Sequence, residues 1–219
     1  MKTAILLTGN LRNWENCKDS FNRFFNEIEY DLFVAVYDKQ YSLHPYNLIQ
    51  TPVTERSVNY NTIKELFPNA KEILIVNQKE QMETLQIVKF DPEIKWPFPG
   101  GYDIFSQFTL FQKGLDLIPK EYDIIIKTRP DCLYHSKPLN VNVLQTVNSL
   151  NLIGLTNGGT PEICDHIFVG KEDIIRRIPE QVFNCFYKKP VNCDNIHTFL
   201  KSFIHDYIPI ANSSINRVY

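Results

Sequence analysis

Charge of one sign is what this sequence most plainly lacks: 23 Lys and Arg stand against 25 Asp and Glu over 219 residues, a formal net charge of -2. That balance excludes the broad basic field that drives non-specific nucleic-acid binding, and an acidic tail as well. Any anionic ligand must therefore meet local charge. Cysteine is sparse: Cys17, Cys132, Cys164, Cys185 and Cys193 make an odd number with no C-x-x-C pair. A chain of this length does not need disulfide stapling, and a reduced, cytoplasmic setting is the expectation. Long apolar runs are missing too. The opening MKTAILLTGNLR has one early Lys and only Ala4 to Leu7 as an apolar stretch, too short for a signal-peptide core or a membrane span. Neither G-x-x-x-x-G-K-[ST] nor G-x-G-x-x-G occurs, which sets aside the phosphate-loop and dinucleotide-binding families. No internal repeat or low-complexity tract is present.

What is present is apolar material for one sizeable core, at 43% hydrophobic and 13% aromatic residues, enough for one large or at most two small cores. Ala4 to Leu7, Leu32 to Tyr37, Glu72 to Val76 and Tyr122 to Thr128 read as strands, rich in Ile, Val, Leu and Phe and stopped by polar or turn residues. Unbroken apolar runs such as Ile124-Ile125-Ile126 suit strands covered on both faces, as in a parallel sheet flanked by helices. Trp14, Cys17, Phe21, Phe24, Phe25 and Ile28 keep helical spacing and predict a helix over 13–28. Phe108, Phe111, Leu115 and Ile118 predict another over about 104–118, ended by Pro119. Residues 139–150 read as helical, Leu152 to Leu155 and Ile167 to Val169 as strands, about 171–187 as a helix split near Pro179, and 194–207 as a last helix capped by Asp194. WPFPGG at 96–101 reads as a loop. The alternation predicts an α/β fold with a mostly parallel central sheet and helices on both faces. With no linker-like break, residues 1–219 read as a single domain.

In open α/β sheets ligands sit at the carboxyl ends of the strands, so the turns there are the first candidates. After the first strand, Thr8-Gly9-Asn10-Leu11-Arg12 offers hydrogen-bonding groups, a glycine for close approach and a cation near a helix start, although an ordinary turn with a surface arginine fits equally. After the second strand comes Tyr37-Asp38, whose acid could hold a base or ribose or simply be solvated. The sharpest signal is YDIIIKTRPDCLY at 122–134. A buried strand ending in Lys127, Arg129, Pro130 and Asp131 concentrates charge where burial is costly, a pattern that points to function. Strand alternation places Lys127 and Arg129 on one face. A plain Arg129–Asp131 ion pair is the lesser reading, since such a pair needs no intervening proline. Cys17 and Cys132 fall in apolar patterns and read as small core residues. Arg176-Arg177 reads as a solvated helix end.

These segments together resemble a known family. TGNLR, the aromatic first helix, YDLFVAVYD, SQFTLFQKGLDLI and above all the K/R-T-R-P-D signature in YDIIIKTRPDCLY are similar to the small GT-A-type glycosyltransferases of lipopolysaccharide and capsule synthesis (WavE-like) and of large DNA viruses. The likeness runs to about residue 170 and is looser beyond. It implies a GT-A-like fold, a nucleotide-sugar-binding half over about 1–135 and an acceptor-side half over about 136–219. The implied activity is transfer of a sugar from a nucleotide-sugar donor, with UDP favoured, to a glycan or glycoprotein acceptor. The alternative is a catalytically silent module that binds nucleotide sugar or glycan. On this resemblance Thr8, Gly9, Asn10, Arg12, Asp38, Lys127, Arg129 and Asp131 are the donor-binding candidates. The family's Asp-x-Asp is here Arg129-Pro130-Asp131, so Asp131 alone is the candidate ligand for Mn²⁺ or Mg²⁺. Arg12, Lys127 and Arg129 could instead supply the charge themselves. For the catalytic base, Asp165 is favoured over Asp194, with His166 a candidate metal ligand or acceptor contact, although a lone histidine beside a buried strand is more often structural. No nucleic-acid partner and no integral membrane segment are expected, and the compartment implied is bacterial or virus-infected host cytoplasm.

Overall fold

The computed structural model describes residues 1–11, 14–40, 56–81, 101–135, 138–139, 142, 156–157, 160–161, 165–188, 200 and 215–217, with backbone alone at 39–40, 56, 101–104, 156–157, 160–161, 185–188 and 215–217. Five strands form the central sheet: β1 (Thr3–Gly9), β2 (Asp31–Tyr37), β5 (Ala70–Val76), β6 (Ile124–Thr128) and β10 (Phe168–Lys171). Their order is β10-β6-β1-β2-β5. The first four in sequence run parallel, and β10 returns antiparallel beside β6. Three small two-stranded ladders lie outside it: β3 (Lys39–Gln40) with β4 (Arg56–Ser57), β8 (Thr156–Asn157) with β9 (Thr160–Pro161), and β7 (Cys132–Tyr134) with β11 (Ile215–Arg217).

The sheet is covered on both faces, as the unbroken apolar strands require. On one face Ile5, Leu7, Val34, Ile124 and Ile126 meet α1 (Trp14–Phe24) and α2 (Tyr60–Leu66) through Trp14, Phe21, Phe24 and Ile63. On the other, Ala4, Leu6, Phe33 and Ile125 meet α3 (Gly101–Asp116) and α5 (Arg177–Lys188) through Phe108, Phe111, Leu115, Ile178 and Val182. The α/β sheet with helices on both faces is thus the observed architecture. Gly114 lets α3 approach closely: a Cβ built there would lie 2.9 Å from Leu6 Cδ1 and 3.0 Å from Ala35 Cβ. Cys17 and Cys132 are fully buried thiols outside any disulfide; burial, with the negative charge of Asp131 nearby, pushes the Cys17 thiol up to about 11.

The four expected strands are present, three of them beginning earlier than the apolar runs alone implied: β1 gains Thr3, Thr8 and Gly9, β2 starts at Asp31 and β5 at Ala70, whereas β6 starts later, at Ile124 rather than Tyr122. The first helix stops at Phe24, so Ile28 is buried from a turn rather than from a helical stripe. The late helix breaks at Arg176, between α4 (Glu172–Ile175) and α5, and not at Pro179. Pro179 sits in the first turn of α5, where its missing N–H removes no helical bond. Arg176 is no solvated helix end either. Its guanidinium donates to the carbonyls of Leu115 (2.8 Å) and Ile118 (2.6 Å), which close the end of α3, and to Glu172 (2.7 Å). The helices expected at 139–150 and 194–207, the strand at 152–155 and the loop up to Gly100 lie outside the described residues, apart from Leu139, Asn142 and Leu200.

Candidate active site

The order of the strands reverses between β1 and β6: the chain builds outward from β1 through β2 to β5, then crosses back to β6 on the other side of β1. Such a reversal opens a crevice at the carboxyl ends of the two strands, the place where open α/β sheets bind ligands. The two turns singled out in the sequence meet there. Gly9 ends β1 with φ of +138°, a conformation that only glycine adopts freely, and a Cβ built on it would stand 3.5 Å from Pro130 Cδ. Leu7 and Thr128 are paired across the two strands just below.

Around this point the β6 end folds into a buried ionic cluster. Lys127 is 1% exposed; its ammonium donates to the Asp165 carbonyl and lies 5.0 Å from the Phe168 ring centre. Arg129, 4% exposed, turns back on Asp131 in a two-pronged pair, Nε to Oδ1 at 2.8 Å and Nη2 to Oδ2 at 2.9 Å. Its Nη1 reaches Asp165 Oδ2 at 3.3 Å. Lys127 and Arg129 therefore do act on one side, both converging on Asp165. The ion pair treated as the lesser reading is present, and Pro130 is what makes it: the turn at 130–131 folds the carboxylate back onto the guanidinium two residues away.

Asp165 reaches the cluster because β10 runs antiparallel to β6, with Phe168 opposite Lys127, which brings the residues just before β10 alongside the end of β6. Gln107 of α3 donates to its Oδ2 at 2.7 Å, and His166 Nε2 stands 3.8 Å from its Oδ1. Burial alone would raise the Asp165 carboxyl, but the charges of His166, Arg129 and Lys127 and the Gln107 hydrogen bond outweigh it and hold the group well below the usual carboxylate range. Burial likewise works against the Arg129 charge, and Asp131 and Asp165 more than compensate, so the guanidinium stays protonated.

The hairpin carrying Asp131 is held from behind. Tyr134 stacks on Phe24 at 4.8 Å between ring centres, its hydroxyl bonds Thr128 Oγ1, and its N–H donates to Ser20 Oγ at 3.1 Å. The aromatic first helix therefore fixes the geometry of the site as well as filling the core.

Along the same sheet edge toward β5 the groups are polar. Asp38 Oδ1 accepts from the Gln78 N–H at 3.0 Å. Gln81 Nε2 donates to Tyr37 Oη at 2.8 Å and to the Ser106 carbonyl at 3.0 Å. Thr8 Oγ1, Asn10 Oδ1, Gln78 Oε1 and Gln81 Oε1 are buried with no hydrogen-bond partner among the described residues. Four orphaned oxygens at the ends of neighbouring strands favour a ligand that brings N–H or O–H donors.

A divalent metal does not fit the residues as they are arranged. Both oxygens of Asp131 are engaged by Arg129, and two cations face two carboxylates, so no surplus negative charge is left to hold the ion. Among the described residues no three His, Cys, Asp or Glu side chains group as a metal site.

Thr8, Gly9, Asn10, Lys127, Arg129 and Asp131 thus lie at the adjoining carboxyl ends of β1 and β6, Asp165 against the same cluster just before β10, and Asp38 at the carboxyl end of the neighbouring β2. Arg12 and Asp194 lie outside the described residues. Sequence reasoning missed Gln107, Gln78 and Gln81. Gln107 carried a weak signal as a polar residue inside the apolar SQFTLF stretch; the other two carried none. Among the described residues, no helix is long and apolar enough to cross a membrane.

No protein-family model matches the chain, and no curated protein matches it. Similar solved structures are glycosyltransferases. The galactosyltransferase LgtC, solved with donor and acceptor sugar analogues, is 12% identical, with a TM-score of 0.48 over 93% of this chain and 70% of that one. Mouse xyloside xylosyltransferase 1 is 11% identical, with a TM-score of 0.42 over 95% and 84%. The apo glycosyltransferase GlyE of Streptococcus pneumoniae TIGR4 is 8% identical, with a TM-score of 0.49 over 96% of this chain and 45% of that one.

Proposed function

We propose that this chain is a GT-A-like glycosyltransferase of one domain, acting in the cytoplasm, that moves a sugar from a nucleotide-sugar donor, with a UDP-sugar favoured, to a glycan or glycoprotein acceptor. The observation that carries the reading is the meeting of the TGN and KTRPD turns at the reversal of strand order, with Thr8 Oγ1 and Asn10 Oδ1 buried there and without a partner among the described residues. In this reading Thr8, Asn10 and Asp38 take hydroxyl and N–H donors of the nucleoside, and Gly9 lets the ligand approach the backbone. Arg12, which follows them closely in sequence, is the further donor-binding candidate of this reading.

The chemical demand is that charge developing on the leaving nucleoside diphosphate be stabilised while the acceptor hydroxyl loses its proton. Lys127 and Arg129 hold Asp165 in place, the first through its carbonyl and the second through Oδ2. Gln107 and Arg129 both occupy Asp165 Oδ2, so Oδ1 is the oxygen that takes the acceptor proton. A carboxylate held this far down is a weak base in the ground state and receives the proton only as the new bond forms. Asp194 is the second candidate for that role. Mn²⁺ or Mg²⁺ would require Arg129 to leave Asp131, and no step is assigned to either ion.

A second reading has an observation of its own. Two carboxylates neutralised by two buried cations also suit a site that binds nucleotide sugar or glycan and turns nothing over. The deciding experiment offers the purified protein a panel of nucleotide sugars with and without glycan acceptors and measures both binding and release of nucleoside diphosphate. Acceptor-dependent release supports the transferase, and tight binding without release supports the silent module. Neither binding nor release with any donor refutes both.

A further inference from the structure

A hard divalent ion is held by carboxylate oxygens that it can reach and whose charge is not already balanced. Asp131 meets neither requirement. Its side chain is 0% exposed, and each of its oxygens accepts a hydrogen bond from the same guanidinium. That guanidinium is anchored on another side by Asp165 Oδ2, which Gln107 also engages. The two carboxylates of the cluster are therefore bridged by Arg129 and do not face each other across a gap that an ion could fill. Seating an ion on Asp131 would push Arg129 away and leave a buried guanidinium without its partner, a loss that buried pairs resist.

From this arrangement we infer that Arg129 stands on Asp131 in place of a divalent cation, and that the site takes a nucleoside diphosphate without a metal; the second clause rests on the function proposed above. A guanidinium has five N–H donors. Three point at Asp131 and Asp165, and the other two have no partner among the described residues. Those two are what the site offers to a phosphate oxygen. A planar guanidinium whose orientation is already set loses little freedom on meeting an oxyanion and can hold it with a charge-assisted bond.

Two calorimetric titrations of the full chain test the inference. The first adds Mn²⁺ alone; no micromolar binding is expected. The second adds UDP in excess EDTA and again in Mn²⁺, and the two affinities should agree within about threefold. A stoichiometric micromolar Mn²⁺ site, or a UDP affinity that falls more than about tenfold when EDTA replaces Mn²⁺, overturns it. If UDP and the rest of the nucleotide panel bind in neither solution, the transferase reading fails instead, and the Mn²⁺ titration still decides whether Asp131 accepts an ion.

Discussion

Replacing Asp131 by Asn is the most informative single perturbation. The two side chains have the same shape, so packing is conserved, but the amide carries no charge and offers one acceptor oxygen where the carboxylate offered two to Arg129. Arg129 stays protonated and 4% exposed, now facing only the more distant Asp165 contact at 3.3 Å. Breaking one side of a buried pair typically costs about 3–5 kcal/mol, a large share of the roughly 5–15 kcal/mol that holds a domain together. With a urea slope near 3 kcal/mol per molar, the unfolding midpoint should fall by roughly 1–1.7 M. The double variant Arg129→Met with Asp131→Leu removes both charges and should recover most of that loss, because the cost lies in stranding one ion rather than in lacking the pair. Urea unfolding followed by tryptophan fluorescence and circular dichroism measures all three. A loss below about 1 kcal/mol for Asp131→Asn, or a double variant less stable than the single one, refutes the account of the cluster. Activity lost in Asp131→Asn therefore has to be corrected for the folded fraction before it bears on mechanism.

Three other outcomes are expected. Thr8→Val replaces a buried hydroxyl that has no partner with a methyl of similar size. It should leave the unliganded protein as stable or about 1 kcal/mol more stable, while UDP affinity falls by about tenfold; thermal melts and calorimetry separate the two, and unchanged affinity removes Thr8 from the donor site. Gly114→Ala should destabilise by about 1–3 kcal/mol, although helix propensity alone favours Ala by about 1 kcal/mol, because the new Cβ meets Leu6 and Ala35 at 2.9–3.0 Å; a gain in stability would show that α3 shifts freely. Asp165 binds its proton at lower pH in the folded chain than in the unfolded one, so its contribution is complete above the unfolded value near 4 and is lost as pH falls toward the folded one. The stability gap between wild type and Asp165→Asn should thus narrow as pH falls below about 4; a gap that widens there contradicts the sign.

Much of the scaffold was legible because it rests on periodicity. The Ile-rich run at 124–126 could only be a strand covered on both sides, and Phe108, Phe111 and Leu115 could only be the inner stripe of a helix, where they are found at 0–1% exposure. Boundaries were less legible, since Thr3, Thr8 and Gly9 join β1 through backbone pairing with β2 and β6 and not through apolar character. The break at Arg176 was misplaced for a similar reason. Proline is tolerated in a first turn, while the real boundary follows from where Arg176 caps α3.

The composition of the site was readable, and its wiring was not. From the chain alone came Lys127, Arg129 and Asp131 as the chemically unusual residues, together with the α/β fold that brings strand ends to one edge; Asp165 came from the family resemblance. The first of these needs only local pattern, because burial makes unpaired charge costly wherever it occurs. Which charges neutralise one another depends on distances between segments 36 and 58 residues apart, such as Arg129 to Asp165 and Gln107 to Asp165. Strand register and the fold of the Pro130 turn set those distances, and no local pattern encodes them. Tertiary structure decided between the two readings of Asp131: it faces Arg129, so the acid of the sequence motif is already occupied.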